Sequence, residues 1–366
     1  MPRLTVPPNF IGTSGVDTLV AQESNAFVAI GIDILNPGVI STFSGNDSIT
    51  GTGTGTVNLK TSKAGTGIGI NNSGTLNAGS GSDTITGTGI GGSFSNNIGT
   101  AIIGSSLGEA TAGGTGTGIS NSSTLNAGDE NDTITGAGTG GTGSTGGSIT
   151  GKSGKGGTGT GISNSGTLNA GDGNDTITGT GTGGTGGKGV LIGLTNSIPP
   201  GEIRSKNGDG GSGIGISNDG IIDTGNGHDI LTGQATTTIG GIAYGIYGQG
   251  IIKTGDGNDK IIATSNIDKV QQKVTIGGGI RFELGTGNDY FKGFGSAIVD
   301  GGNGFDTLDV KAFKRSEVSV SGVISGNSLN PANITFNNNG NLITLLTTGF
   351  ENFIFADSSF SYSNLT

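Results

Sequence analysis

Residues 161–178 read GISNSGTLNAGDGNDTIT, and residues 118–135 read GISNSSTLNAGDENDTIT. Three further parts of the chain keep the same phase. An isoleucine stands 13 residues before an aspartate at Ile70/Asp83, Ile119/Asp132, Ile162/Asp175, Ile216/Asp229 and Ile246/Asp259. Six residues after each isoleucine comes a second large apolar side chain: Leu76, Leu125, Leu168, Ile222 and Ile252. A third follows each aspartate by two residues. In Asp175-Thr176-Ile177-Thr178 it alternates with threonine, the period of a strand with one face turned inward. One unit therefore predicts strand, turn, strand, glycine turn, strand and then a variable loop.

Outward from that unit, the aspartate recurs nine times, at Asp17, Asp47, Asp83, Asp132, Asp175, Asp229, Asp259, Asp289 and Asp306. Eight have glycine two residues before them, the exception being Glu130, and seven have glycine four residues before, so the pattern is G-x-G-x-D-x-U. Its shortest complete period is about 30 residues, the mark of a solenoid whose equivalent side chains stack in rows. The expected fold is all-β: a right-handed parallel β-solenoid of about eight coils over 1–308, closed by a C-terminal β cap over 309–366. Ten of the fourteen phenylalanines lie after Gly279, as befits a cover over the last coil.

Composition agrees. With 81 glycines and only 30% hydrophobic residues, the chain cannot build a thick core, whereas a narrow solenoid needs one apolar row per strand. No run of about 20 apolar residues suggests a membrane span. Residues 1–19 lack the basic start and apolar stretch of an ordinary secretory signal. Cysteine is absent, which removes disulfides and thiolate metal sites. A formal charge of −10 argues against nucleic acid as a partner.

The glycine turns carry the chemistry. Residues 301–309, GGNGFDTLD, and residues 171–178, GDGNDTIT, resemble the calcium-binding nonapeptide G-G-x-G-x-D-x-U-x of the repeats-in-toxin (RTX) family, the first of them in full. The resemblance implies calcium held by turned backbone carbonyls and aspartate carboxylates. It makes Asp132, Asp175, Asp229, Asp259, Asp289 and Asp306 the candidate ligands, helped by Asp129, Asp172 and Asp256. Towards the N-terminus the motif thins: Thr13 and Phe43 replace the outer glycine, and Asp83 is accompanied by Ser80 and Ser82. Stacking supplies an argument independent of the family. Ionised aspartates on coils about 4.8 Å apart repel by about 3 kcal/mol per pair at an effective dielectric near 20, and a cation between turns would reverse the sign. The alternative is an aspartate that caps backbone amides without an ion. The family runs its nonapeptides in tandem, whereas only the last pair here is closely spaced, so a single row of ions is expected.

Other patterns are weaker. Asn72, Asn121, Asn164 and Asn218 would form a structural amide ladder. Thr84/Thr86, Thr133/Thr135 and Thr176/Thr178 would form an outward rank resembling the T-x-T faces of ice-binding solenoids, though threonine also simply suits an exposed strand. Residues 146–153, GGSITGKS, fit the phosphate-loop pattern by letter but lack its strand and helix. His228 replaces the asparagine of its sister turns and reads as a turn substitution. The Gly/Thr/Ser-rich insertions at 87–118, 136–161 and 179–215 are equally consistent with a binding surface and with solvated loops. Residues 349–357, GFENFIFAD, resemble the C-terminal tails of secreted RTX-like proteins, cyanobacterial surface proteins among them, which implies export by an uncleaved signal. The expectation is an extracellular, calcium-stabilised structural protein, not an enzyme, that self-assembles into a filament or surface layer. A monomeric adhesin or ice-binding solenoid and an accessory module of an extracellular enzyme are the alternatives.

Overall fold

Three long sheets, parallel throughout the solenoid, carry the fold among the described residues, and the chain visits them in rotation. The computed structural model describes residues 2–94, 110–146, 152–189, 191–194, 201–323, 331–338 and 340–365, with the side chains of 191–194 and 201–204 left aside. One coil runs through Gly159–Asn164 on the first face, Thr167–Asp172 on the second and Thr176–Thr182 on the third. The next coils repeat it in register: Ile119, Ile162 and Ile216 are paired in sequence, as are Leu125, Leu168 and Ile222, and Ile134, Ile177 and Leu231. The sheets contain 8, 12 and 12 strands, and the third face stacks nine parallel strands from Thr18–Ala26 to Thr307–Asp309, one per aspartate. The β-solenoid read from the sequence is the fold observed.

The three apolar rows meet on the solenoid axis. Ile162, Leu168 and Ile177 are each 0% exposed, as are their equivalents in the flanking coils. Burying one such side chain stabilises by about 1.5–3 kcal/mol, so every coil adds a similar increment to its neighbours. Away from the axis the inward positions of the first and third faces are glycine. A Cβ on Gly161 would strike the Thr180 amide, and one on Gly179 the Gly215 carbonyl. The two faces therefore converge until their backbones touch, and the cross-section tapers to a wedge.

The insertions begin later than the sequence reading set them, because the third-face strand continues to Ile90, Thr139 and Thr182. Beyond the strand the glycine legs keep an ordered three-residue period. Gly140, Gly143 and Gly146 donate their amides to the carbonyls of Thr182, Thr185 and Lys188 on the next coil, at 2.8, 3.0 and 3.4 Å. Gly141 and Ser144 donate instead across to Gly114 and Thr111, at 2.8 and 2.9 Å. The returning leg repeats the scheme, with Ser153, Gly156 and Gly159 bonded to Lys206, Asp209 and Ser212. Three residues per turn, with amides aimed at different neighbouring chains, is the screw of the polyproline-II type. The bases of the insertions are thus a packed fin. Residues 95–109, 147–151, 190 and 195–200, including most of the phosphate-loop-like stretch, lie outside the described residues.

At the C-terminal end, Asn341–Thr348 continues the second face in parallel, Ala332–Asn338 pairs antiparallel with it, and Val318–Ser321 pairs antiparallel with Ala332–Asn338 in turn. Asn352–Ile354 continues the third face and Ser359–Ser361 reverses that one. Phe294, Phe313 and Phe336 fill the junction, with ring centroids 4.7 Å (Phe294–Phe313) and 4.8 Å (Phe313–Phe336) apart, and the Lys273 ammonium lies 5.1 Å from the Phe313 ring. At the other end the strands Leu4–Val6, Phe10–Ile11 and Thr18–Ala26 each pair on one side only among the described residues.

A buried aspartate row as the candidate cation site

The corner between the second and third faces is built by backbone before side chains. Gly171 and Gly173 take φ of +108° and +152°, a region that L side chains rarely adopt, and Glu130 (+81°) and Phe43 (+67°) are forced into it where the motif lacks glycine. The two glycines of G-x-G are therefore a demand of the turn. A Cβ on Gly171 would also collide with the Gly128 carbonyl of the coil below.

That turn aims the motif aspartate inward. The amide of each aspartate donates to Oδ1 of the aspartate one coil further on: Asp17 to Asp47 (2.7 Å), Asp47 to Asp83 (2.7 Å), Asp83 to Asp132 (2.7 Å), Asp132 to Asp175 (2.7 Å) and Asp175 to Asp229 (2.8 Å). The ladder continues from Asp229 to Asp259 (2.9 Å), Asp259 to Asp289 (2.7 Å) and Asp289 to Asp306 (2.8 Å). It ends where the Asp306 amide donates to Glu351 Oε2 at 2.6 Å. Glu351 and the buried Phe353 and Phe355 belong to the stretch read from sequence as an export tail; in the fold that stretch terminates the ladder.

Half of each carboxylate remains unused. From Asp47 to Asp306 the eight side chains are 0–2% exposed, and in all eight Oδ2 is buried with no hydrogen-bond partner. Five residues earlier stand Ala78, Ala127, Ala170 and Gly301 at four of the eight, and a Cβ on Gly301 would lie 2.9 Å from Asp306 Oδ2; at the other four stand Thr42, Thr224, Thr254 and the buried Leu284. Burial pushes Asp132, Asp175, Asp289 and Asp306 up to about 7, opposed by the amide bond and reinforced by neighbouring carboxylates. Asp83 and Asp259 rise to about 6 for the same first reason, and Asp229 is raised as well.

The structure gathers Asp132, Asp175, Asp229, Asp259, Asp289 and Asp306 into this row and adds Asp47 and Asp83, despite their thinner motifs. It does not bring Asp129, Asp172 and Asp256 to them. Those three are exposed on the outside of the corner, where Asp172 accepts from Asn226 Nδ2 (2.7 Å) and Asp256 from the Thr286 hydroxyl (2.8 Å). A second outer row runs the opposite way. The His228 amide donates to Asn174 Oδ1 and the Asn258 amide to His228 Nδ1, both at 2.7 Å, so His228 does stand in for an asparagine. The expected inner ladder is present, with Asn72, Asn121 and Asn164 donating along the axis to Asn121, Asn164 and Asn218 at 2.8 Å each.

Comparison with family models, curated proteins and solved structures finds no match to this chain. The fit of calcium must therefore be judged on the residues themselves. One free, buried carboxylate oxygen per coil from Asp47 to Asp306 suits a cation, since such oxygens are otherwise costly to bury. Among the described residues no three acidic or histidine side chains converge. The remaining oxygens would have to come from the next aspartate in the row and from backbone carbonyls of the turn.

Proposed function

We propose that the chain is a calcium-stabilised structural solenoid that works outside the cell as a rigid building block. The row of eight partnerless Oδ2 atoms carries the reading. A carboxylate file of this kind is unfavourable without a counter-charge and becomes a continuous staple with one. Calcium that binds the folded chain but not the unfolded one would stabilise it by mass action, keeping the chain loose where calcium is scarce and setting it rigid outside. Export through the C-terminal segment is part of the same proposal.

Self-assembly would run through the ends of the solenoid. Among the described residues Leu4–Val6, Phe10–Ile11 and Thr18–Ala26 at one end, and Val318–Ser321 and Ser359–Ser361 at the other, each have one unpaired edge that a second copy could extend. Copies would then meet end to end, and higher order would come from lateral contacts of the fin. Calcium titration followed by thermal unfolding, with negative-stain microscopy before and after chelation, tests both parts. A melting temperature that rises with calcium, and assemblies that disperse on chelation, are expected. Melting unchanged by calcium would overturn the ion; monomeric rods at millimolar calcium would overturn the assembly.

A further inference from the structure

The third face carries a surface that the aspartate row does not explain. Outward positions of its strands form four columns over the five coils from Ser48–Gly55 to Ile230–Thr237, held by uninterrupted register. One column is threonine throughout: Thr50, Thr86, Thr135, Thr178 and Thr232. The one nearest the corner runs Ser48, Thr84, Thr133, Thr176 and Ile230, the one beyond the threonine column Thr52, Thr88, Ala137, Thr180 and Gln234, and the outermost Thr54, Ile90, Thr139, Thr182 and Thr236. The last two columns arise from residues that by sequence alone belonged to a variable loop. Beyond them the fin adds Thr142 and Thr185, whose hydroxyls are 3.2 Å apart.

We infer that this face binds ice, the partner being the ordered water lattice itself. Charge is the first argument. In a chain of net charge −10, none of these outward places from Ser48 to Thr236 is charged, and the pattern ends at Lys260 in the following coil. An ionic partner finds nothing to pair with, and the two exposed apolar side chains, Ile90 and Ile230, stand singly in the two outer columns, too far apart to form a hydrophobic patch. Free hydroxyls are the second. Among the described residues the side chains of Thr50, Thr86, Thr135, Thr178 and Thr232 make no hydrogen bond within the chain, whereas Thr236 bonds to Thr182 at 3.2 Å. Each therefore presents a hydroxyl and a methyl to solvent, with β-branching limiting its rotamers before any partner arrives.

Spacing is the third. The array repeats at about 4.8 Å between coils and about 6.7 Å along each strand. Water oxygens about 2.75 Å apart in tetrahedral hydrogen bonding repeat at about 4.5 Å between second neighbours and about 7.3 Å along the lattice axis. The mismatch between coils accumulates to about 1 Å over five rows, within the reach of a hydroxyl hydrogen bond. The inference does not rest on calcium, which matters here only as far as the rod must be folded.

The test is partition of the full chain into a slowly grown ice front, run with millimolar calcium and without it. Wild type is expected to enter the ice. Thr135→Lys/Thr178→Lys is expected to be excluded like an ordinary soluble protein, while Thr124→Lys/Thr167→Lys, on exposed positions of the second face, is expected to partition as wild type. Unfolding curves that match wild type qualify each variant, and Thr135→Ser/Thr178→Ser stands in if the lysine pair unfolds, with weakened partition expected. Exclusion of folded wild type from ice would overturn the inference. So would partition unaffected by the third-face pair, or lost equally in the second-face pair.

Discussion

At the aspartate corner glycine is needed for its backbone, whereas in the fin beside it glycine is needed for its missing side chain. Gly171 turns through a left-handed φ and sits against Gly128; Gly157 has no such φ, yet a Cβ there would collide with the Gly114 carbonyl. The corner lies next to the apolar axis and holds the ladder in line. The fin hangs from the wedge and is held mainly by backbone amide-to-carbonyl hydrogen bonds, such as Gly157 to Gly141 and Gly184 to Gly157, both 2.8 Å. A similar composition therefore yields one region that governs global stability and one that opens locally.

The largest effect should come from Gly171→Ala. Left-handed strain of about 1–2 kcal/mol adds to a forced backbone shift of about 1–3 kcal/mol, so calorimetry should show a loss of roughly 2–5 kcal/mol. Gly157→Ala should leave the main transition nearly in place and instead speed hydrogen exchange at the Gly157 and Gly184 amides. Equal losses of global stability in the two variants would break the comparison.

Next in size is the ladder itself. Asp175→Ala leaves the buried Asp132 amide without its acceptor and should cost about 1–3 kcal/mol with or without calcium. Asp175→Asn keeps that acceptor and removes a like charge. It should be more stable than wild type in chelator at pH 8 and less stable in millimolar calcium. An order that stays the same in both conditions would mean that no ion sits in the row.

The pH dependence follows from the same carboxylates. Raised from 3.8 to about 6–7, they bind more protons folded than unfolded across that interval. In chelator, stability should thus be greatest at the acid end, fall as pH rises from about 4 to about 7, and level off above. Calcium competes with those protons, so its stabilising increment should grow over the same interval. Urea unfolding at pH 5 and pH 8, each with and without calcium, gives the four values needed.

Much of this was legible in the sequence because it repeats. The 13-residue phase marked the apolar rows, and the change in texture after Asp309 marked the cap. The corner was legible as a motif but not in its geometry: Asp172 and Asp175 share one turn, and only the fold sends the first outward and the second into the row. The fin was illegible because Gly-Gly-Thr text suits an ordered three-residue screw and a solvated loop alike; amide partners on neighbouring coils decide between them. Glu351 could not be found at all from the pattern, since it ends the ladder once and repeats nowhere.

The smallest effect is expected at His228, and it sharpens what the corner requires. Its amide and Nδ1 continue an outer row that asparagine builds elsewhere, with Asn174 before it and Asn258 after it. The row lies in solvent and is not joined to the buried one, so a bond lost there is replaced by water. His228→Asn should change stability by no more than about 0.5 kcal/mol, whereas Asp229→Asn one residue away should show the full calcium-dependent reversal. Adjacent residues in one turn would then differ in effect solely because one faces the axis and the other does not. A His228→Asn variant that altered the calcium response as strongly as Asp229→Asn would move the ion from the inner row to the outer one.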